Sequence, residues 1–376
     1  MMSEVPHYDV AIAGGGLVGA CAALALARRG QRVVLFERRY CGAQASGVNY
    51  GGVRVQGRPP EQMPLALRAR RLWTRLPELI GIDGELVISG HLRLARCDSD
   101  LDALAQWAAM ARQHGLATEL IAGAAFRQRF PWLGAAAVGG SFCPTDGHAN
   151  PRLVSPAFAR AARCAGAQIH EQTAVDEACH DGGRFVLRAG VRRVSADWLL
   201  NTAGAWAQRL AEGFGETVPM QPIYPNMWVT EPLPPLIHHN LGVYGGGVYA
   251  RQVARGNCVI GGGRGRGDGE FAHPCSATTR AVMQEACALL PALRDALLIR
   301  TWSGVEGETP DHNPVIGPSQ STPGLLHAFG FSGGGFLLAP AVGEVLADLV
   351  VEGRTDMPLD AFSIARFAAH PASSLS

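Results

Sequence analysis

The chain has 376 residues, of which 47% are hydrophobic and 17% are charged, and its formal net charge is +1. A chain of this length exceeds what one hydrophobic core usually holds, so the length predicts two domains. The nearly balanced charge gives no indication of nucleic-acid binding or of attraction to an anionic membrane. Peripheral membrane contact by other means stays an open alternative.

The nine cysteines are scattered along the chain, and none of them forms a Cys-x-x-Cys pair or a Cys/His cluster with the spacing of metal ligands. We therefore expect no metal site. An odd number of cysteines, without a recognisable signal peptide, is typical of reduced thiols. The composition thus predicts a cytoplasmic protein without a transmembrane segment.

The N-terminal residues Asp9–Glu37 predict a buried strand, a glycine turn, a helix and a second buried strand. Gly14 and Gly16 allow a tight turn close to a pyrophosphate, Gly19 allows the helix to pack on the strand, and the helix N-terminus binds phosphate. Glu37 ends the second strand, where an acid accepts hydrogen bonds from ribose hydroxyls. This order of elements predicts dinucleotide binding. A membrane span over the same apolar run is the alternative, which three consecutive glycines disfavour.

A glycine-rich polar segment, residues 41–58, follows directly. Its small residues let the backbone pass close to a cofactor, so we expect it to return to the nucleotide, with a surface loop as the alternative. Further along, helical spacing and strict alternation of apolar residues predict helices and strands. The predicted helices are residues 62–80, 99–114 and 152–166. The predicted strands are residues 86–94, 168–175 and 184–187.

A second strand–turn–helix unit is predicted at Trp198–Trp206, with an ordinary strand-to-helix connection as the alternative. From Pro219 onward the pattern changes to strands, with one helix over residues 276–290. The predicted strands are residues 224–231, 243–251, 257–263 and 298–304. Glycine runs at 245–247 and 261–263 predict hairpin turns or bulges. The last unit, Pro323–Glu352, is again a strand, a glycine turn and a helix.

Four motifs resemble those of the FAD-dependent D-amino-acid oxidase superfamily, which includes glycine oxidase, sarcosine oxidase and D-amino-acid dehydrogenases. They span the whole chain and are the N-terminal fingerprint, Asn201–Trp206, Thr309–Gly317 and Gly330–Pro340. Three shorter segments are similar to the catalytic β subunits of opine oxidase, D-hydroxyproline dehydrogenase and, more distantly, heterotetrameric sarcosine oxidase. These segments are Trp302–Gly307, Trp228–Pro232 and Tyr249–Gln252.

The resemblance implies an α/β fold with a split Rossmann-like FAD-binding domain and an α+β second domain, whose mostly antiparallel sheet binds the substrate. We expect residues 1–85, 142–215 and 322–376 in the FAD-binding domain. We expect residues 86–141 and 216–321 in the substrate-binding domain. In a flavoprotein, the N-terminus of the last helix would face the isoalloxazine carbonyls and stabilise charge on the reduced ring.

The resemblance also implies oxidation of a C–N bond of an amino or imino acid, by hydride transfer to flavin N5. We expect a dehydrogenase that acts on a D-amino acid, D-hydroxyproline, an opine or an N-alkyl amino acid, with partner subunits or another electron acceptor. The alternatives are a self-sufficient oxidase that releases hydrogen peroxide, a noncatalytic flavin-bearing subunit, and an NAD-dependent dehydrogenase. The late glycine turn favours FAD over NAD. Because no Cys or His clearly matches a covalent flavin anchor, we expect noncovalent FAD.

The resemblance places the cofactor on residues that are spread along the chain. They are Gly14, Gly16, Leu17, Val18, Glu37, Arg38, Ala45, Ser46, Asn49, Gly51, Gly52, Val175, Ala203, Gly204, Trp206, Gly304, Gly330, Ser332, Gly333, Gly334, Gly335 and Phe336.

Arg54, Tyr249 and Arg251 are the expected substrate-binding or catalytic residues, since a guanidinium fork binds a carboxylate in two places. Arg264 is a further candidate for the carboxylate, and Tyr244 for closing the site. The alternatives are a surface position for each arginine and packing within a strand for each tyrosine.

His148 and His327 are candidate bases, but a histidine near a turn is more often a satisfied polar group, so no general base is assigned. Glu306 stands about where glycine oxidase-like members carry an arginine that grips the substrate carboxylate. That cation must therefore come from elsewhere in the chain, or the substrate differs.

Overall fold

The computed structural model describes residues 5–368, and the predictions for residues 1–4 and 369–376 lie outside the described residues. Apart from short 3-10 turns, its helices are α1 (Leu17–Arg28), α2 (Ala45–Val48), α3 (Met63–Trp73), α4 (Leu76–Ile80), α5 (Asp98–Gln113), α6 (Gly123–Arg129), α7 (Pro151–Cys164), α8 (Ala207–Gly213), α9 (Ser276–Leu289) and α10 (Gly335–Val351).

The strands, again in chain order, are β1 (His7–Ala13), β2 (Val33–Phe36), β3 (Gly52–Val53), β4 (His91–Ala95), β5 (Glu119–Ala122), β6 (Gly139–Cys143), β7 (Gly147–His148), β8 (Gln168–His170), β9 (Glu177–Asp181), β10 (Arg184–Ala189), β11 (Arg192–Asn201), β12 (Gln221–Ile223), β13 (Pro225–Pro232), β14 (Asn240–Val243), β15 (Tyr249–Gln252), β16 (Asn257–Arg264), β17 (Arg266–Gly267), β18 (Ala272–His273), β19 (Leu298–Ser303), β20 (Glu306–Glu308), β21 (Val315–Pro318) and β22 (Leu325–Phe329).

The first large sheet has the order β21-β22-β11-β1-β2-β8, which is parallel except for β21, and β10 and β9 extend it from β11 as antiparallel strands. Helices α1, α3, α7 and α10 cover one face, and the β9–β10 hairpin covers part of the other. Burial on both faces explains why these strands are continuous apolar runs. The turns after β1, β2, β11 and β22 all meet at the carboxyl edge, where open parallel sheets bind ligands.

The second large sheet has the order β19-β13-β16-β15-β14-β4-β6-β5. It is antiparallel except for the β14–β4 pair. In β4, Leu92 and Leu94 enter the apolar core that α6 and α9 help to form. Because strand side chains alternate, His91 and Arg93 lie on the opposite face, which is turned toward the first sheet.

The predicted elements are present, with several corrections to their bounds. The helix over 62–80 is broken between α3 and α4, the strand over 86–94 begins only at β4, and the strand over 168–175 ends with β8. The strand over 243–251 is a hairpin whose turn contains glycines 245–247, all with positive φ. Glycines 261–263 lie within β16, beside a register shift against β13.

The chain passes between the two sheets close to the predicted domain boundaries, but two strands differ. Val315–Pro318, expected in the second domain, pairs with β22 in the first sheet. The predicted boundary at 141/142 falls inside β6, which belongs to the second sheet throughout. Among residues 5–368, no helix has both the length and the apolarity that crossing a bilayer requires.

Candidate functional site

One cavity of about 1070 Å³ lies between the carboxyl edge of the first sheet and the open face of the second. Its volume is slightly above the usual range for ligand and cofactor sites, about 300–1,000 Å³. Loops from the first sheet line one side, and side chains of β4, β13, β14 and β15 line the other. A cofactor and a small substrate can therefore share this space.

The first glycine turn is shaped by close backbone contacts. Gly14 has a φ of 106°, and a methyl group on it would lie 2.5 Å from the Thr202 carbonyl oxygen. A methyl group on Gly19 would overlap the Gly14 carbonyl oxygen. The Leu17 N–H, at the start of α1, donates to Ser46 Oγ at 2.8 Å. The N-cap residue of α1 is Gly16, which has no side chain to accept hydrogen bonds from the first turn. Backbone N–H groups and the positive end of the helix dipole are therefore left for an anion.

The acid at the end of β2 is held beside this turn. Glu37 Oε2 accepts the Gly15 N–H at 2.7 Å, and Oε1 accepts the Arg39 N–H at 2.8 Å. Each carboxylate oxygen keeps a further lone pair for a ribose hydroxyl. Next to it, the Arg38 guanidinium lies 3.6 Å from the Trp206 ring centroid. Its buried Nη2 has no hydrogen-bond partner among residues 5–368, a donor left for a ligand.

Nearly all of the predicted cofactor residues line the cavity; Gly51 and Gly334 do not. A methyl group on Gly51 would overlap the Ala149 carbonyl oxygen, so this glycine serves a backbone contact. A methyl group on Gly334 would lie 2.9 Å from Arg58 Nη1. The structure thus brings the two glycine turns and the loop of residues 41–58 together, as a dinucleotide with a flat ring system requires. The tight turn, the held acid and the unpartnered Arg38 donor fit FAD.

The last glycine turn contacts Glu306 from β20. Glu306 Oε1 accepts the Gly333 N–H at 2.5 Å, and burial raises the pKa of this carboxyl. Ser332 in the same turn has a φ of 48°, and its Oγ accepts the Thr309 N–H at 3.2 Å. The acid that replaces the expected arginine therefore binds the glycine turn that precedes α10.

The three arginines predicted to bind the substrate differ in whether they line the cavity. Arg54 lines the cavity. Arg251, contrary to the prediction, does not, because Tyr50 and Gly51 cover it; its Nε donates to the Tyr50 carbonyl oxygen at 2.8 Å. Arg264 is exposed and pairs with Glu308 at 2.6 Å. Only Arg54 of the three is placed to meet a substrate.

Tyr249 lines the cavity with its ring edge-on to Tyr50, 4.8 Å between centroids. Burial raises the pKa of the Tyr249 hydroxyl, so it remains an O–H donor. Tyr244 lies outside the cavity lining and stacks beneath the Arg93 guanidinium, 4.9 Å from it.

The candidate histidine bases lie elsewhere. His327 is fully buried, and its Nε2 is 2.8 Å from Glu216 Oε2. His148 is buried, and burial together with Arg251 lowers its pKa to about 3. Neither residue lines the cavity, so neither can take a proton from a substrate there.

Sequence reasoning missed Arg58, His91 and Arg93, which also line the cavity. His91 Nδ1 is 2.6 Å from Gln56 Oε1, and burial and the nearby arginines keep the His91 pKa well below its usual value. The sequence did contain a signal for His91 and Arg93, because they alternate with leucines in β4 and therefore share the face opposite the apolar core. Nothing in the loop sequence distinguishes Arg58 from a surface arginine.

Comparison with known proteins identifies the family. The DAO family model, described as FAD dependent oxidoreductase, matches residues 9–349. The glycine oxidase of Geobacillus kaustophilus (strain HTA426) is 30% identical over 369 residues, which cover 96% of this chain and 97% of that protein. Its crystal structure superposes with a TM-score of 0.90, at 29% identity, and the match covers 98% of this chain and 100% of that one.

Two further relatives are named as parts of larger enzymes. The sarcosine oxidase beta subunit of Rhizobium meliloti (strain 1021) is 27% identical, with 96% of this chain and 89% of that protein covered. An opine oxidase subunit of Rhizobium meliloti is also 27% identical, with 97% and 99% covered. The predicted family, fold class and FAD cofactor are confirmed. The chain belongs to the DAO family of FAD-dependent oxidoreductases.

Proposed function

We propose that this protein oxidises a C–N bond of an amino or imino acid at the cavity between its two sheets. The observation that carries the proposal is that one cavity joins the dinucleotide cradle around Gly14 and Glu37 to a wall with Arg54 and Tyr249. The names of the relatives, which are a glycine oxidase and subunits of a sarcosine oxidase and an opine oxidase, support the same chemistry.

Bound FAD would supply the redox chemistry, which is the uptake of a hydride from the carbon beside the amine; the amine would lose a proton, and water would hydrolyse the imine that is left. The residues of the chain bind and orient the substrate. Arg54 presents guanidinium donors to a carboxylate, and Tyr249 presents a neutral hydroxyl. Because His91 is held neutral and buried, the amine must arrive deprotonated or lose its proton to water.

The residues around the first glycine turn and Glu37 would hold the nucleotide, and the last glycine turn with Glu306 would lie at the ring. No cysteine of the described chain lines the cavity, and its lining histidine, His91, already bonds to Gln56, which supports noncovalent FAD. Acid precipitation should therefore release the yellow chromophore into solution. Flavin that remains in the precipitate would overturn the noncovalent assignment.

The substrate class is tested by adding amines to the holoenzyme without oxygen and following loss of the flavin absorbance. The panel contains D-amino acids, N-methyl amino acids, D-hydroxyproline and opines. Bleaching by one of these classes is expected, and no electron acceptor needs to be known. A colourless protein that binds NADH, or a flavoprotein that none of these amines bleaches, would contradict the proposed function.

We propose a dehydrogenase that passes electrons to partner subunits or another acceptor, as the names of the sarcosine oxidase and opine oxidase relatives suggest. Three exposed apolar residues support a partner surface at β19, an edge strand of the second sheet: Leu297 just before the strand, and Leu298 and Ile299 in it, which are 65%, 40% and 60% exposed. Turnover of an artificial acceptor by the isolated chain distinguishes a catalytic subunit from a scaffold. Rapid hydrogen peroxide formation would instead favour a self-sufficient oxidase.

The first sheet with its helices is the proposed FAD-binding domain, and the second sheet is the proposed substrate-binding domain. Both contribute to the cavity lining, which supports this division of roles. All nine cysteines are free, which supports a reducing, cytoplasmic compartment.

A further inference from the structure

The cavity contains more positive charge than binding one carboxylate requires. Arg54, Arg58 and Arg93 all line it, and Arg58 is only 8% exposed. Within residues 5–368 none of the three pairs with a carboxylate, and their one side-chain hydrogen bond joins Arg54 Nη1 to the Gln56 carbonyl oxygen at 2.5 Å. Arg58 Nε is buried and has no hydrogen-bond partner in that same part of the chain. A buried guanidinium whose donors are unused is unfavourable until an acceptor arrives.

The nearby acids do not satisfy these donors. Asp146 is fully buried, and its two oxygens accept the backbone N–H groups of Val55 at 2.9 Å and Gln56 at 2.8 Å. Glu306 is bonded to the last glycine turn. Burial and repulsion from Arg54 lower the pKa of Arg58 to about 9 and that of Arg93 to about 10. An anionic ligand would relieve both effects.

The three guanidiniums occupy two places. A methyl group on Gly57 would lie 2.5 Å from Arg93 Nη1 and 3.1 Å from Arg54 Nη1, so these paired arginines flank one point. Arg58 Nη1 instead reaches the last glycine turn, 2.9 Å from a methyl group on Gly334. One carboxylate typically pairs side-on with one guanidinium fork. The forks beside Gly57 and the fork beside Gly334 can therefore hold two carboxylates.

From this geometry we infer that the substrate is dicarboxylic: an amino or imino acid with a second carboxylate beyond the one next to the reacting C–N bond. Arg58 binds the carboxylate nearer the glycine turn, and the paired arginines, Arg54 and Arg93, bind the second. Two sources share this chemistry, an N-carboxyalkyl amino acid and an amino acid with an acidic side chain. The inference rests on the proposed function for the reaction, but the anion site can be tested without turnover.

The binding test titrates the holoenzyme with glutarate and with pentanoate, which differ only in the second carboxylate, and follows the flavin absorbance spectrum. We expect glutarate to bind roughly a hundredfold more tightly, as is usual for a buried charge pair. Arg93→Met should remove most of that preference, and Arg58→Met should weaken both ligands. The control Arg75→Met removes a charge from an exposed pair with Glu78 and should keep the wild-type preference.

The turnover test compares matched substrates in the anaerobic bleaching assay. N-(carboxymethyl)glycine against N-ethylglycine tests the N-carboxyalkyl source, and D-glutamate against D-glutamine tests the acidic side chain. We expect the dicarboxylate of one pair to bleach the flavin faster by roughly a hundredfold in kcat/KM.

Equal binding of glutarate and pentanoate would overturn the dicarboxylate inference, whatever amine bleaches the flavin. An unchanged preference in a folded, flavin-loaded Arg93→Met variant would overturn the role of the paired arginines. Tight glutarate binding without bleaching by any amine would overturn the proposed function and leave the anion site intact.

Discussion

Replacing Gly14 with alanine tests whether the first glycine turn depends on close backbone contact. The new Cβ would lie 2.5 Å from the Thr202 carbonyl oxygen and 2.7 Å from its carbon, and Gly14 has a φ of 106°. Because these neighbours are backbone atoms, the turn itself must shift. The positive φ and the overpacking together should lower the free energy of unfolding by roughly 2–5 kcal/mol.

Gly30→Ala is the matched control, since Gly30 also has a positive φ, 79°, but no atom lies within 4 Å of an added methyl group. In that variant only the cost of placing alanine at a positive φ applies, which is about 1–2 kcal/mol of unfolding free energy. Urea unfolding and flavin absorbance per protein measure the two effects, and Gly14→Ala should purify with much less flavin. Equal stability of the two variants, with full flavin in Gly14→Ala, would refute the close approach of Gly14 to Thr202.

Three further changes test residues around the site. Glu37→Gln puts an amide donor against a backbone N–H, so flavin should bind roughly tenfold more weakly in an equilibrium release assay. Arg251→Met removes the bond to Tyr50 and should lower unfolding free energy by about 1–3 kcal/mol in urea, with less effect on substrate KM than Arg54→Met. The pKa of His148 is about 3 when folded. The pKa of this histidine in the unfolded chain is near 6.5, so the unfolded state binds a proton in acid and the folded state does not. The unfolding free energy of the wild type should therefore fall by about 2 kcal/mol between pH 7 and pH 5, and that of His148→Asn should not show this loss.

Each of these expectations has a contrary outcome. Unchanged flavin affinity in Glu37→Gln would mean that the acid only supports the backbone. A KM increase in Arg251→Met as large as in Arg54→Met would return Arg251 to the substrate site. An identical loss of stability in acid for wild type and His148→Asn would mean that another group titrates there.

The side of the cavity that we propose for the cofactor was predictable from the sequence because its signals are local. The turn at Gly14, the acid at Glu37 and the late turn at Gly330 each follow a strand directly, and the parallel order of those strands gathers them at one edge. The contacts that make these turns tight come from other segments, since Gly14 faces Thr202 and Gly330 faces Thr309. The spacing within each short stretch was nevertheless enough to predict that a turn follows the strand.

The substrate side was not predictable in the same way, because its residues come from different elements. Arg54 and Arg58 lie on one loop, while Arg93 comes from β4, and nothing in either segment indicates that they converge. Arg251 and Tyr249 lie on the same face of β15 and both contact Tyr50, yet only Tyr249 lines the cavity. Whether a strand arginine meets a ligand depends on what packs over it, which is a tertiary property.

The sequence by itself thus determined the family, the fold class and the glycine turns that line one side of the cavity, since glycine turns and buried parallel strands follow from local spacing. Only the tertiary structure decided which arginines face the cavity. It placed Glu306 on the last glycine turn and left Arg54, Arg58 and Arg93 without carboxylate partners in the described chain. The physical reason is that charge complementarity is a property of side chains brought together from distant segments, and no single segment records it.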